Sequence, residues 1–380
     1  VRQSGKHYLR KYKGKAMQNV AGNAGIKDIA KALKVSIGTV DRALHGRPGV
    51  SEKTKARVLQ MAKRLGYKPN LAAQALKLNR RVSIGVVLPK HISHFFDPLR
   101  AGIRDAAAAT VGTMVNLEFH EFPRLGVGDT EAIEHALQRN YDGMIFLPGD
   151  TRKFDHLVRK IMRCGTAVMC VGSEVPSTDR IGSVATHAYI SGSIAAELLA
   201  LKLPHKANVA IFSGELFILD HAEKLRGFAA TLAVQAPHLT LLPALESHER
   251  PEEAYRQALT VMQGSDRPEG LYVSTANSMP VLRALDELGL LGKVQVITTD
   301  LFHELVPFLE FGKVLATMYQ RPYTQGKVAF EGLLAYLRRE ALPQRVVRLA
   351  PHVIFRSNLS IFSNQIIETD EELDIALLEA

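Results

Sequence analysis

Residue 82 separates two hydrophobic rhythms, and that change restricts the fold more than any other feature of the chain. From Ile26 to Leu65 apolar side chains recur at helical spacing: Ile26, Ile29, Ala30 and Leu33, then Val40 and Leu44, then Val58, Leu59, Ala62 and Leu65. Beyond it, apolar runs at 82–88, 143–147, 167–171, 209–212, 270–273 and 294–298 alternate with amphipathic stretches of helix length. The first rhythm predicts three short helices, and the second predicts a doubly wound parallel sheet with helices on both faces. About 280 residues exceed one sheet domain of ordinary size, so two α/β lobes are expected, with crossovers near 204, within 302–320 and near 341.

Charge follows the same division. Residues 1–25 hold six Lys/Arg and no acid; residues 26–81 hold fourteen against Asp28, Asp41 and Glu52. The whole chain carries +10, so the 299 residues after position 81 are acidic by seven. A basic head without an aromatic-apolar insertion face suits nucleic acid better than a membrane surface. Two cysteines without metal-ligand spacing fit a reduced, cytoplasmic setting. The basic start is not followed by an apolar core of signal-peptide length, and Met17 is a candidate initiator that would leave residues 1–16 outside the natural protein.

The helix boundaries carry capping signals. Ser36 precedes Ile37-Gly38-Thr39-Val40, Ser51 precedes Glu52-Lys53-Thr54, and Gly46 and Gly66 stand where helices end. Lys34-Val35-Ser36 leaves a three-residue turn between the first two helices, the spacing of a helix-turn-helix. With Ile29, Ala30, Leu33, Val35, Val40 and Ala43 inward, Ile37, Gly38, Asp41 and Arg42 face out as base readers. Arg42 suits bidentate guanine recognition, although in an arbitrary helix such an arginine makes a surface ion pair. Ser36, Thr39, Ser51 and Thr54 are donors to phosphate, and Lys53 adds charge.

Ile26-Lys27-Asp28-Ile29-Ala30, Val35-Ser36, Thr39-Val40 with Arg42, Pro48-Gly49-Val50-Ser51, Thr54, Val58-Leu59 and Leu65-Gly66-Tyr67-Lys68-Pro69-Asn70 together resemble the lactose repressor family of bacterial regulators. The resemblance implies a homodimer on a pseudo-palindromic double-stranded operator. It extends to Asn70, Ala73 and Leu76, and so implies a hinge helix in the minor groove, with Leu76 as an apolar wedge between base steps. Read from its own residues, that segment is a linker whose leucine packs on the body. Asp41 and Gly38 depart from the family's pattern, so the operator sequence is not carried over.

The body resembles the ligand domain of the same family and of periplasmic sugar-binding proteins. Phe95 and Phe96 match a cleft loop with two aromatics, in which Ser93 stands in place of the usual Asn. Lys224 stands where the family places an Arg three residues before Gly227, while Asp300 and Gln320 match strand ends that bond ligand hydroxyls. Otherwise the paired phenylalanines read as core and Asp300 as a helix cap. His91 and His94 have no third ligand nearby, so neither a metal nor a cofactor is implied.

The expected fold class is α/β: a small all-α helix-turn-helix head (26–69) joined by a hinge helix and linker (70–81) to a two-lobed doubly wound parallel ligand-binding and dimerisation body (82–360). A basic extension (1–25) precedes it. An acidic tail (361–380) follows, with Leu373 and Leu377 at helical spacing but too few heptads for a coiled coil. The expected function is a cytoplasmic, allosteric transcription repressor controlled by a small polar effector of carbohydrate type. No nucleophile elbow, phosphate loop or HExxH pattern supports the rival enzyme reading. A small-molecule binding protein without an operator is the other rival.

Overall fold

The computed structural model describes residues 25–44, 49–65, 81–176 and 179–363. Most of the basic extension with Met17, the hinge positions Asn70, Ala73 and Leu76, the end glycines Gly46 and Gly66, and the acidic tail with Leu373 and Leu377 lie outside the described residues. The chain divides into two compact units, Val1–Leu78 and Asn79–Ala380. Among the described residues no helix is long and apolar enough to cross a membrane.

The first unit contains α1 (Ile26–Leu33), α2 (Ile37–Leu44) and α3 (Glu52–Arg64). Both serine caps form: Thr39 N donates to Ser36 Oγ at 3.0 Å, and Thr54 N donates to Ser51 Oγ at 3.3 Å. Lys34, at φ 54°, turns the chain between α1 and α2. Ile29, Ala30, Val40, Ala43, Val58 and Ala62 form the core, and Leu33 and Val35 pack against it. Three of those six are alanines, so this is a marginal core. Leu59, expected inside, is exposed, because Val58 and Ala62 already fill the inward stripe of α3.

The second unit holds two parallel sheets. In the first lobe β1 (Arg81–Pro89), α4 (Ser93–Ala108), β2 (Met114–Phe122), α5 (Asp129–Leu137), β3 (Gly143–Phe146), α6 (Thr151–Arg163), β4 (Ala167–Val171) and β5 (Gly182–Thr186) follow in order. The second lobe takes α7 (Ala188–Lys202), β6 (Ala207–Ser213), α8 (Leu219–Gln235), β7 (Leu239–Leu241), β8 (Leu245–Glu246), α9 (Pro251–Gln263), β9 (Gly270–Val273), α10 (Met279–Glu287), β10 (Gln295–Thr299), α11 (Val306–Glu310) and β11 (Ala316–Tyr319). Then α12 (Pro322–Leu337) and β12 (Val347–Leu349) return to the first lobe, and β13 (His352–Ile354) with α13 (Leu359–Ser363) closes the second.

The strand orders are β12-β5-β4-β3-β1-β2 and β13-β11-β10-β9-β6-β7, with β8 beside β6. All pairs are parallel except β11 with β13.

The crossovers fall elsewhere than the sequence suggests. Ala195, Ala196 and Leu199 of α7, with Leu203 at its C-cap, bury against Val209, Ile211 and Phe228 of the second lobe, which places the first crossing at His187 and leaves Pro204 just past the end of α7. The second narrows to Gln320-Arg321, because β11 still pairs with β10. The third moves from 341 to Ala350-Pro351, between β12 and β13.

Each lobe contains one helix pair that meets through glycines. A Cβ on Gly102 of α4 would lie 2.0 Å from Tyr323 O of α12, and one on Gly326 of α12 would lie 2.1 Å from Leu99 O. In the second lobe a Cβ on Gly192 would lie 2.0 Å from Lys224 O, and one on Gly227 would lie 2.0 Å from Tyr189 O. Main chains approach this closely only where no side chain intervenes. Gly227→Ala should therefore drive α7 and α8 apart and cost about 1–3 kcal/mol as overpacking. Urea melts of the variant measure the loss, and an unchanged midpoint would remove the close approach.

Candidate functional site

On the first unit, Ile37, Gly38 and Arg42 are exposed on one side of α2 and Asp41 is half-buried. Asp41 has partners of its own within the protein, which accounts for a carboxylate on an otherwise basic surface. Each capping serine also meets its threonine: Ser36 Oγ and Thr39 Oγ1 are 2.8 Å apart, and Ser51 Oγ donates to Thr54 Oγ1 at 3.0 Å. Each Ser–Thr pair holds two hydroxyl protons and spends one internally, leaving one to donate outward at each helix N-terminus. Exposed Lys53 lies one residue before Thr54. These are properties of an anion-binding helix end.

On the second unit the lobes touch along a cleft. His94 Nε2 lies 2.8 Å from Ala276 O, and its ring stacks on Phe302 at 4.1 Å. Arg124 Nη1 donates to His248 O at 2.7 Å. Leu125 of the first lobe joins Ile218 and Ala276 of the second in one apolar cluster. The contact leaves an inner cavity of 40 Å³, walled by Phe95, Phe96 and Leu147 opposite Lys224, Glu249 and Gln320. Beside it lies an outer cavity of 480 Å³, which shares Gly172, Ser173 and Asp220 and adds His187, Tyr189 and Arg226.

Lys224 is the centre of the inner wall. The glycine contact beneath α8 seats its backbone, and its buried ammonium donates to Asp220 Oδ2 at 2.7 Å, Gln320 Oε1 at 2.8 Å and Ser274 O at 3.2 Å. Burial alone would lower its pKa, but Asp220, with Tyr272 and Asp300, outweighs burial and holds it above the ordinary lysine value. Gln320 N and Nε2 donate in turn to Asp300 Oδ1 at 3.0 Å and Oδ2 at 2.7 Å.

Asp300 is thus committed behind Gln320, outside both cavity walls, where the sequence suggested a direct ligand contact or a helix cap. At φ 66° it occupies the left-handed region. Burial pushes its carboxyl up to about 6.

Gln320 also joins the cleft to the crossovers. Its carbonyl accepts from Thr186 Oγ1 at 2.6 Å and from Gln325 Nε2 at 2.8 Å, and Gln325 Nε2 reaches Thr186 Oγ1 at 3.1 Å.

Of the six cleft residues expected from sequence, Phe95, Phe96, Lys224 and Gln320 meet at the inner cavity. The phenylalanines lie in α4 rather than in a loop, edge-to-face at 4.9 Å. Ser93 opens that helix and belongs to neither cavity wall. His94, one of the two histidines weighed as metal ligands, is engaged by Ala276 and Phe302.

Sequence reasoning passed over Asp220, His221 and Glu249; it read residues 274–278 as a cleft loop without singling out Thr275. Asp220 is detectable as an i,i+4 partner of Lys224. Glu249 gave no signal, because it follows a two-residue strand in a turn where His248 and Glu249 both have positive φ.

Glu249 is buried, and Thr275 Oγ1 donates to its Oε1 and Oε2, each at 2.8 Å. Burial, reinforced by Glu215, pushes its carboxyl up to about 7. His221 goes the other way, down to about 4, from burial and then Lys224.

A carboxyl with a raised folded pKa contributes stability below its unfolded pKa and loses it as pH rises through the folded one. The stability of Glu249→Gln relative to the wild type should therefore increase between about pH 4.5 and 7 and level off above. Urea midpoints across that range measure it, and a pH-independent difference would remove the shift.

A family model described as Periplasmic binding protein domain matches residues 84–341, and one described as Bacterial regulatory proteins, lacI family, matches residues 25–70. Catabolite control protein A of Priestia megaterium is 25% identical over 344 residues, covering 88% of this chain and 99% of that protein. The HTH-type transcriptional repressor PurR of Aliivibrio fischeri is 27% identical over 353 residues, covering 89% and 98%. Among solved structures, an ABC transporter solute-binding protein from Burkholderia graminis C4D1M, in complex with D-arabinose, matches with a TM-score of 0.67 at 20% identity, over 73% of this chain and 96% of that one.

Proposed function

The chain belongs to the periplasmic binding protein domain family through its body and carries a lacI-family regulatory head, and from these two parts we propose a sequence-specific DNA-binding transcriptional repressor whose operator affinity is set by a small polar effector. The observation that carries this reading is the pairing, in one chain, of a helix-turn-helix whose two serine-capped helix ends have hydroxyl protons to donate with a cleft between two α/β lobes. The Burkholderia protein binds a sugar, and a carbohydrate-type effector suits the polar outer cavity here. Its full-length relatives are transcriptional regulators, which favours a non-enzymatic role. We place it in the cytoplasm as a homodimer on a pseudo-palindromic operator.

In this reading Arg42 reads a base edge, with Ile37, Gly38 and Asp41 beside it. The free protons of the Ser36–Thr39 and Ser51–Thr54 pairs, with Lys53, hold phosphates. Asn70, Ala73 and Leu76 supply the minor-groove hinge. The effector acts by preferring one arrangement of the lobes, since a ligand that binds both equally shifts nothing. Gln320 bonds the inner wall with its side chain and the crossovers with its carbonyl, so it suits the task of passing cleft occupancy to lobe geometry.

Arg42→Ala should weaken binding to an operator selected from random duplexes by about 1–3 kcal/mol, with a smaller loss on random DNA. Fluorescence anisotropy on both duplexes measures this, and equal losses would remove base reading by Arg42. Asp300→Ala should free Gln320 and abolish the effector response while operator affinity stays within about twofold, a difference near 0.4 kcal/mol. Gel shifts with and without effector test that, and an unaltered response curve removes Asp300 from the site.

A further inference from the structure

Counting proton donors and charges around the inner cavity identifies what its occupant must supply. Lys224 has three N–H bonds, and Asp220, Gln320 and Ser274 take all three. Asp220 neutralises its charge. His221 Nδ1 lies 2.9 Å from Glu215 N and 3.1 Å from Glu215 O, so it is engaged there in either neutral tautomer, and its Nε2 is 3.7 Å from Glu249 Oε1. That separation is too long for a hydrogen bond.

Glu249 is the group left over. It is 1% exposed and lines the cavity. Its two oxygens, with about four acceptor sites, share one donated proton, that of Thr275. Gly214 holds it there: a Cβ at that position would fall 1.8 Å from Glu249 Oε1. Glu215 is also buried nearby. Among the residues that line the cavity, Lys224 and Asp220 cancel and Glu249 is the remaining carboxyl; buried Glu215 and Asp300 behind the wall add acid, and Arg124, committed to His248 O, also acts on Glu249.

We propose that the effector is a primary amine carried on a hydroxylated frame, of amino-sugar type, whose ammonium enters the inner cavity and is held by Glu249. The proposal rests on the regulator reading and narrows its effector. Volume agrees with it. The 40 Å³ of inner space is far below the roughly 300 Å³ at which small-molecule pockets begin, so it takes one functional group. The outer 480 Å³ takes a ring. A hydroxyl in the same place offers Glu249 one proton, whereas an ammonium offers three and cancels the charge. Burial holds the carboxyl of Glu249 up at about 7, and an ammonium bound against it would bring it down.

Isothermal titration of the full-length protein with matched pairs decides it: D-glucosamine against D-glucose and D-galactosamine against D-galactose. At least one free amine should bind roughly tenfold or more tightly than its parent, a difference of about 1.4 kcal/mol. Glu249→Gln should bring that pair to within twofold while its ligand-free melt stays cooperative. Equal or tighter binding of the parents, survival of the preference in Glu249→Gln, or no binding of either amine at millimolar concentration overturns the proposal. The wild-type comparison decides even where the variant does not fold. Binding of neutral sugars alone would overturn the amine and leave the regulator reading standing, since that reading is judged on operator DNA.

Discussion

A lysine ammonium removed from water needs a nearby anion and three acceptors, or its burial costs several kcal/mol. Lys224 meets that demand with Asp220 one helical turn away on α8, with the Ser274 carbonyl at the end of β9, and with Gln320 at a crossover. Three separate stretches of chain must be in place for this one charge. Gln320 presents its oxygen to Lys224 because Asp300 holds both its amide nitrogens, and α8 sits deep enough because Gly192 and Gly227 let two main chains touch. Strand ends, glycine contacts and the crossover are thus conditions of a single buried interaction.

The pair also shows how a buried lysine is accommodated where the family resemblance leads one to expect an arginine. A guanidinium is planar and reaches a ligand with a two-pronged fork. The ammonium here lines the inner cavity but spends its three bonds on the protein. Beside it the carboxylate of Glu249, with Thr275 as its donor, has acceptor sites to spare.

Much of the fold was legible because period and capping are local. Helix ends at Ser36 and Ser51, the three-residue turn, and the runs 167–171 and 270–273 depend on neighbours within a few residues, and all stand where the sequence put them. The crossovers were harder, since a helix such as α7 shows the same amphipathic pattern whichever lobe it covers. Short edge strands such as β7, β8 and β12 carry too few residues to show a period. In the cleft, Phe95, Phe96, Lys224 and Gln320 stand at the cavity where the family resemblance put them, whereas Asp300, expected there too, lies behind Gln320. Glu249 was invisible because its place depends on strand pairing between β6 and β8, two segments more than thirty residues apart.

The three crossings bear on how the protein is made. The first lobe owns α12, packed on α4 through Gly102 and Gly326, and its edge strand β12 pairs with β5. Residue 349 must therefore leave the ribosome before a lobe that began at residue 81 is complete. At about 5–20 residues per second, the interval between the end of β5 and the end of β12 lasts roughly 10 to 30 s. During that interval one edge of the first sheet and the apolar groove over α4 have no cover. The second lobe is contiguous from α7 to β11, yet its edge strand β13 and α13 follow β12 in the chain, so both lobes are completed only by residues 322–363.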